Sequence, residues 1–161
     1  MFSLETGEKR CLTAPPLSSD LGDFAPTLSP DGKTVAFLRS STGGMPEIYT
    51  VALSGGTLRQ ITPDGTSPWD PMWSSDGQHI IFNSARSGLS RVWRIPAVGG
   101  AIEPETVYPG TGTLSRDGRR LAYVDARRFF QGSVAISRVA LSSAGGQVVS
   151  QNRIIASESR T

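Results

Sequence analysis

The sequence predicts an all-β fold, a β-propeller segment of about three four-stranded antiparallel blades plus a two-stranded partial blade. Two recurring markers carry this prediction. Asp-Gly turns recur with spacings of 45 and 41 residues, at Asp31-Gly32, Asp76-Gly77 and Asp117-Gly118. Gly-Gly pairs recur with spacings of 44 and 46 residues, at Gly55-Gly56, Gly99-Gly100 and Gly145-Gly146. Repeat periods of roughly 40 to 50 residues are typical of propellers and solenoids.

Each repeat is predicted to hold four strands, a to d. In the first repeat we expect strand a over 25–29, b over 34–39, c over 47–53 and d over 58–62. The Asp-Gly pair between a and b supplies the positive φ that a tight hairpin needs, because glycine adopts it without steric cost. The Gly-Gly pair does the same between c and d.

Strand b is apolar on both faces in every repeat. An aromatic residue follows the turn glycine by five positions, at Phe37, Phe82 and Tyr123. The two positions before it are also apolar, namely Val35-Ala36, Ile80-Ile81 and Leu121-Ala122. A strand that is covered on both faces does not alternate with polar residues, and propeller blades stack face to face. This pattern favours a propeller over a two-layer sandwich.

The repeats divide the chain 1–161 into one half blade and three blades. The predicted boundaries are 1–23, 24–67, 68–110 and 111–161. The half blade is assigned because Leu12-Thr13 matches Ile61-Thr62 of the first full repeat. Closed propellers have about four to eight blades, so we expect a segment of a longer propeller. The uncovered faces of its terminal blades predict self-association.

Composition excludes several classes of protein. The net charge is only +2, and Cys11 is the single cysteine, so neither an internal disulfide nor a thiolate metal cluster is predicted. No apolar run is long enough to span a bilayer, so the segment is expected to be soluble and without membrane contact. The clustered arginines fall at opposite ends of a strand, which argues against direct nucleic acid contact; they are Arg116, Arg119, Arg120, Arg127 and Arg128.

Two stretches carry a resemblance to a known family. "APTLSPDGKTVAFL" and "DPMWSSDGQHIIFNSARSG" resemble the Ser-Pro-Asp-Gly, WD-repeat-like propeller repeat of TolB-type proteins. The likeness is greatest to the propeller region of bacterial winged-helix transcriptional regulators. Similar repeats form the N-terminal propeller of prolyl-oligopeptidase-type peptidases. The third repeat departs from the pattern, with Arg116 in place of the turn proline and Gly112 where Pro26 and Pro71 stand. The resemblance implies a bacterial protein, cytoplasmic or periplasmic depending on its parent.

No catalytic constellation is predicted. A serine hydrolase needs a nucleophile elbow of the form Gly-x-Ser-x-Gly, which the sequence lacks. The single histidine, His79, begins a b strand and is expected to be solvated. The recurring aspartates are assigned to turns rather than to a metal, and no cofactor is expected. Trp73 and Trp93 align with packing positions.

Two functions are therefore open. The first is a non-catalytic interaction or sensing module that binds a protein, peptide or small ligand and is expected to form part of a larger TolB-like or transcription-regulator protein. The alternative is the gating propeller of a prolyl-oligopeptidase-type serine peptidase whose catalytic domain is absent from this sequence. A Gly-x-Ser-x-Gly elbow downstream would favour the peptidase, and a winged helix upstream would favour the regulator.

The binding face is predicted at the end of the blades that carries the b–c and d–a loops. These connections are longer than the tight turns at the other end, and loops on a rigid scaffold commonly carry function. Aromatic and arginine side chains are favoured anchors of interfaces. The predicted binding residues are Trp69, Asp70, Arg86, Arg127 and Phe129. The alternative is that these loops only connect strands.

Overall fold

The computed structural model describes residues 6–15, 22–40, 44–63, 65–88, 90–105, 112–115, 119–124, 134–141 and 148–157. These residues form strands and turns, and no helix occurs within these ranges. The twelve strands are β1 Asp23–Leu28, β2 Thr34–Arg39, β3 Glu47–Ala52, β4 Arg59–Gln60, β5 Trp69–Trp73, β6 His79–Ser84, β7 Arg91–Pro96, β8 Glu103–Pro104, β9 Gly112–Leu114, β10 Arg120–Val124, β11 Val134–Leu141 and β12 Val148–Ser157.

The strands form three four-stranded antiparallel sheets in chain order: β1–β4, β5–β8 and β9–β12. Their registers repeat, because Phe37 lies opposite Tyr49 and Phe82 lies opposite Trp93 at matching positions. The all-β propeller fold predicted from the repeats is confirmed. Residues 6–15 belong to the predicted half blade, and within them Lys9 makes a single β-bridge. The Gly145-Gly146 turn lies outside the described residues.

Consecutive sheets meet through their first strands. β5 packs against β1 on one side and against β9 on the other. The larger core lies between the first two sheets; its buried members are Ala36, Leu38, Ile48, Ile61, Trp73, Ile80, Phe82 and Ile95. A smaller core between the second and third sheets contains Met72, Ile81, Leu121 and Tyr123. Successive side chains of a strand point to opposite faces, so β6 contributes Ile80 and Phe82 to one core and Ile81 to the other.

The same hydrogen-bond network closes the first two a–b turns. In the second turn the Ser74 hydroxyl donates to the Asp76 carboxylate at 2.6 Å, and the Gln78 N–H donates to the same oxygen at 2.9 Å. The His79 N–H then donates to Ser74 Oγ at 2.9 Å. Ser29 and Asp31 repeat the first of these bonds at 2.6 Å. Gly77 has φ +68°, a conformation that side chains disfavour. The repeated aspartates therefore hold turns.

Replacing Asp76 by asparagine is expected to lower the free energy of unfolding at neutral pH by about 1 kcal/mol, because an exposed charge-assisted hydrogen bond is weakened. Partial burial opposes ionisation, but the bonds from Ser74 and Gln78 lower the pKa of Asp76 below its ordinary 3.8. A depressed pKa stabilises the fold above the unfolded-state value, and this stabilisation is lost as pH falls through the folded-state pKa.

The two proteins should therefore converge in stability at acidic pH, measured by chemical denaturation between neutral pH and about pH 3. Asp70→Asn is the matched control, since Asp70 is an exposed carboxylate in a neighbouring strand. A penalty for Asp76→Asn that does not change with pH would contradict this account of the turn.

Strands a and c of the first repeat end one residue earlier than predicted, at Leu28 and Ala52, and two larger differences have a local reason. β1 begins at Asp23 rather than at residue 25, because it contains a bulge between Phe24 and Thr27 that the sequence did not reveal. β4 covers only Arg59 and Gln60, within the predicted 58–62. The strand ends early because the Thr62 hydroxyl accepts the Ile48 N–H at 2.8 Å and so replaces a backbone partner.

Candidate functional site

A cleft lies where the first strands of the three sheets come together. Its volume is about 530 Å³, and its walls are β1, β5, β9 and the a–b turns that follow them. The Trp73 indole N–H donates to the Thr27 carbonyl at 3.2 Å, which joins β5 to β1. The Gly112 N–H lies 3.3 Å from the Met72 sulfur, which joins β9 to β5. We call this the inner-strand cleft.

The inner-strand cleft combines an apolar floor with a polar rim. Met72 and Trp73 are buried beneath it, whereas Leu28 is 51% exposed in its wall. Asp31 lies on the rim, and hydrogen bonds from the Ser29 hydroxyl and the Lys33 N–H lower the pKa of its carboxyl. Among the described residues that line the cleft, none is a histidine, a cysteine or a lysine. These groups are suited to binding an apolar side chain next to a hydrogen-bond donor or a cation.

Gly112 lines the cleft on the side of the third sheet. A Cβ atom at this position would clash with the carbonyl oxygen of Ala122. Gly112 pairs with Tyr123 in the ladder between β9 and β10. The replacement of the repeat proline by glycine at this position therefore has a steric reason, since only glycine permits the close approach of the two strands.

The predicted residues Trp69 and Asp70 lie within β5 rather than in the connection before it. Trp69 is half-buried and pairs with Asn83, and Asp70 is exposed. A bulge between Trp69 and Met72 gives Asp70 a φ of +50°, which is uncommon for a residue other than glycine. Ala25 has the same φ at the same position of the first sheet. The bulge is thus a repeated feature of the first strands.

Arg86 lies in the exposed turn between β6 and β7, at the same end of the second sheet as Trp69. Its guanidinium lies 5.3 Å from the centre of the Trp93 ring, a cation–π distance. The Trp93 indole N–H in turn donates to the Ser84 carbonyl at 3.1 Å. Arg86 is therefore held against its own sheet. Arg127 and Phe129 lie outside the described residues, so the predicted five-residue binding face remains a prediction.

A buried carboxylate was missed by the sequence reasoning. Glu47 begins β3, is almost fully buried, and accepts hydrogen bonds from the Thr62 hydroxyl at 2.5 Å and the Thr66 N–H at 2.9 Å. Burial raises the pKa of Glu47, against the opposing effect of these bonds. The Thr66 carbonyl accepts the Ser84 hydroxyl at 2.6 Å, so this network links the first two sheets.

One sequence signal could have located this network. A threonine recurs at one repeat position, in the matched pairs Leu12-Thr13 and Ile61-Thr62. The Thr13 hydroxyl bonds to Asp23, and the Thr62 hydroxyl bonds to Glu47. The carboxylates do not recur at one repeat position. Only the recurring threonines could therefore have signalled these contacts in the sequence.

The remaining candidate groups do not converge on a second site in the described part of the chain. His79 begins β6 and is half-buried next to the Asp76 turn. No group of three potential metal ligands occurs among the described residues. Within the same residues, no helix has the length and apolar character needed to cross a membrane.

A family model and two solved structures point to the same family. The family model described as "TolB beta propeller domain" matches residues 2–159. The solved structure of TolB from Acinetobacter baumannii is 27% identical, with a TM-score of 0.64 over 92% of this chain and 36% of that one. The structure of putative TolB from Agrobacterium tumefaciens has the same TM-score at 21% identity, over 90% of this chain and 51% of that one, which shows the fold alone.

One relative that is similar in sequence is named as a peptidase. An uncharacterized peptidase of Bacillus subtilis, YuxL, is 40% identical over 58 residues, which are 35% of this chain and 8% of that protein. The chain therefore spans about half or less of the length of the proteins that it matches here.

Proposed function

This chain belongs to the TolB beta propeller domain family, and from that premise we propose that it is a non-catalytic interaction module. Its ligand is a peptide segment of a partner protein, and the inner-strand cleft is its binding site. The proposal is stated for the propeller alone, because the relatives are longer than this chain. The activity of any larger protein that contains it is a separate question.

The exposure of Leu28 carries this proposal. Leu28 ends β1 and is 51% exposed, whereas Trp73 at the same repeat position of β5 is 6% exposed. A large apolar side chain in the wall of a cleft gains free energy when a ligand covers it. Next to it, Asp31 provides a carboxylate that can accept a donor from the same ligand. A peptide with an apolar residue next to a cationic one could therefore contact Leu28 and the Asp31 carboxylate together.

The peptidase alternative also has a specific observation in its favour. The 40% identity to YuxL of Bacillus subtilis is the highest of the similarities described above, although it covers only 58 residues. In this alternative the chain is the gating propeller of a prolyl-oligopeptidase-type serine peptidase. Reading the coding sequence beyond Thr161 distinguishes the two, since a Gly-x-Ser-x-Gly elbow there favours the peptidase.

The narrower resemblance to winged-helix regulators receives no support from the proteins described above, and it remains a prediction. A winged-helix segment encoded upstream of Met1 would support it. Self-association of the terminal blades likewise remains a prediction.

Leu28→Asp is expected to weaken peptide binding by at least about tenfold, because it replaces an exposed apolar anchor with a hydrated carboxylate that the apolar residue of the peptide cannot cover without a desolvation cost. The probes are dodecapeptides selected from a random phage library on the immobilised wild-type chain. Their affinities are then measured by fluorescence anisotropy. Leu28→Ala is a milder second variant that leaves the net charge unchanged.

Val98→Asp is the matched control, since Val98 is 65% exposed on a turn of the second sheet and does not line the cleft. Trp69→Ala and Arg86→Ala test the opposite, loop-bearing end of the blades. Peptides that lose affinity only with the two loop variants would refute the cleft and favour the loop face. Equal losses with Leu28→Asp and Val98→Asp would show that the selected peptides bind nonspecifically.

A further inference from the structure

The connection between β4 and β5 folds around a single carboxylate. Glu47 begins β3 and is only 4% exposed. Its two oxygens accept hydrogen bonds from the Thr62 hydroxyl and from the backbone N–H groups of residues 65–67. The Thr62 hydroxyl oxygen itself accepts the Ile48 N–H, so its own proton is directed to Glu47. A carboxylate offers about four acceptor positions, and these four donors can fill all of them.

The backbone of this connection has the form of an anion site. Gly65 has φ +80° and Ser67 has φ +46°, whereas Thr66 between them does not have a positive φ. This alternation turns successive N–H groups towards one point and so forms the concave arrangement called a nest, which binds anions. The hydrogen-bond partners that the described residues provide to Glu47 are all neutral. The nest and the Thr62 hydroxyl, rather than a cation, therefore hold this charge.

The occupied nest is linked to the loop-bearing end of the second sheet. The Thr66 carbonyl accepts the Ser84 hydroxyl at 2.6 Å, and the Arg86 N–H donates to Ser84 Oγ at 3.1 Å. Ser84 and Pro68 are both fully buried, so the connection is packed as well as hydrogen-bonded at this point. The anion at the centre of the nest is thus joined through two residues to the turn that carries Arg86.

We propose that residues 62–67 form an anion-binding site, that Glu47 is its built-in ligand, and that a small external carboxylate can replace this side chain. The ligand class is a monocarboxylate of the size of acetate. Glu47→Ala removes the Cγ atom and the carboxylate group, which together are the heavy atoms of acetate. Occupancy of the site orders the turn between β6 and β7. These residues do not line the inner-strand cleft, so the inference goes beyond the proposed function.

The test is a titration of the complete Glu47→Ala chain with sodium acetate, at neutral pH and constant ionic strength. Amide hydrogen exchange is measured at residues 65–67 and at Arg86. Without acetate, the Thr66 amide is expected to exchange at least about tenfold faster than in the wild type, because it has lost its acceptor. At an acetate concentration about ten times its Kd, exchange should slow about tenfold, as mass action requires. The Arg86 amide should regain protection over the same range of concentration.

The same titration remains decisive if Glu47→Ala does not fold on its own. Acetate should then increase the folded fraction, measured by circular dichroism, along a saturable curve. Acetamide is the matched control ligand, since it has nearly the shape of acetate without the charge. Glu47→Gln is the first control variant, because its side chain fills the site and leaves no space for acetate. Glu103→Ala is the second, because it removes an exposed carboxylate that lies outside the nest.

Three results would overturn the proposal. The first is the absence of any effect of acetate on both exchange and folding of Glu47→Ala. The second is equal rescue by acetamide, which would show that the cavity is filled without recognition of an anion. The third is an equal effect of acetate on Glu103→Ala, which would indicate a general effect of the salt. Protection that returns at residues 65–67 but not at Arg86 would refute the link to the loop-bearing end.

Discussion

Phe82→Ala is expected to lower the free energy of unfolding by about 3 to 5 kcal/mol, the usual range for a buried phenylalanine in a close-packed core. Phe82 is 0% exposed and lies in the core between the first two sheets, among residues of both. Truncation removes its apolar contacts and leaves a cavity that two stacked sheets cannot easily close. The loss therefore falls on the interface between the blades as well as on one strand.

Chemical denaturation measures this loss, and amide hydrogen exchange locates it. Because neighbouring repeats stabilise each other through their interface, exchange should accelerate in β2 and β6 together. Val98→Ala is the control, since Val98 is exposed on a turn and its truncation should cost less than about 0.5 kcal/mol. A Phe82→Ala protein as stable as the Val98→Ala protein would refute the shared core.

Glu47→Ala is expected to lower the free energy of unfolding by about 2 to 3 kcal/mol, because it leaves buried donors without an acceptor. These donors are the Thr62 hydroxyl and the Thr66 N–H, and the Gly65 and Ser67 N–H groups also bond to the carboxylate. Removing a buried charge offsets part of this loss. The comparison is Glu103→Ala. Glu103 forms an exposed ion pair with Arg94 at 2.8 Å, and its loss should cost at most about 1 kcal/mol.

The pH dependence of Glu47→Gln tests the same network from another side. Burial raises the pKa of Glu47 above its ordinary 4.5, so the folded chain binds a proton more tightly than the unfolded chain. The stabilisation linked to that proton is present below the unfolded-state pKa and is lost as pH rises through the folded-state pKa. The wild type should therefore lose part of its advantage over Glu47→Gln between about pH 4 and neutral pH. An advantage that grows with pH would contradict the direction of the shift.

The repeats made the fold predictable from sequence. Each blade needs a tight a–b hairpin and a b strand that is covered on both faces. The Ser-x-Asp-Gly turn and the apolar b strand therefore recur with one period. The structure adds the register of these strands, which places Phe37 opposite Tyr49 and Phe82 opposite Trp93. Trp73 was likewise expected in packing from its alignment alone, and it is buried in the core.

The candidate site was less predictable because its features do not recur. Trp69 and Asp70 were expected before a strand, but a bulge with φ +50° at Asp70 places them inside β5. Nothing in local composition signals such a bulge at an alanine in one sheet and an aspartate in the next. The cleft was not predicted either, because the sequence pointed to the longer loops at the other end.

The sequence by itself determined the all-β class, the number of blades and the positions that alternate between their faces, since these follow from periodicity and turn chemistry. Only the tertiary structure decided which side chains at equivalent repeat positions are buried by a neighbouring sheet. Leu28 and Trp73 share one repeat position, yet one is exposed and the other buried. Burial depends on what packs against a face, and the partners of a face come from residues far apart in the chain. The same holds for Glu47, whose acceptor role exists only because the backbone of residues 62–66 folds back over it.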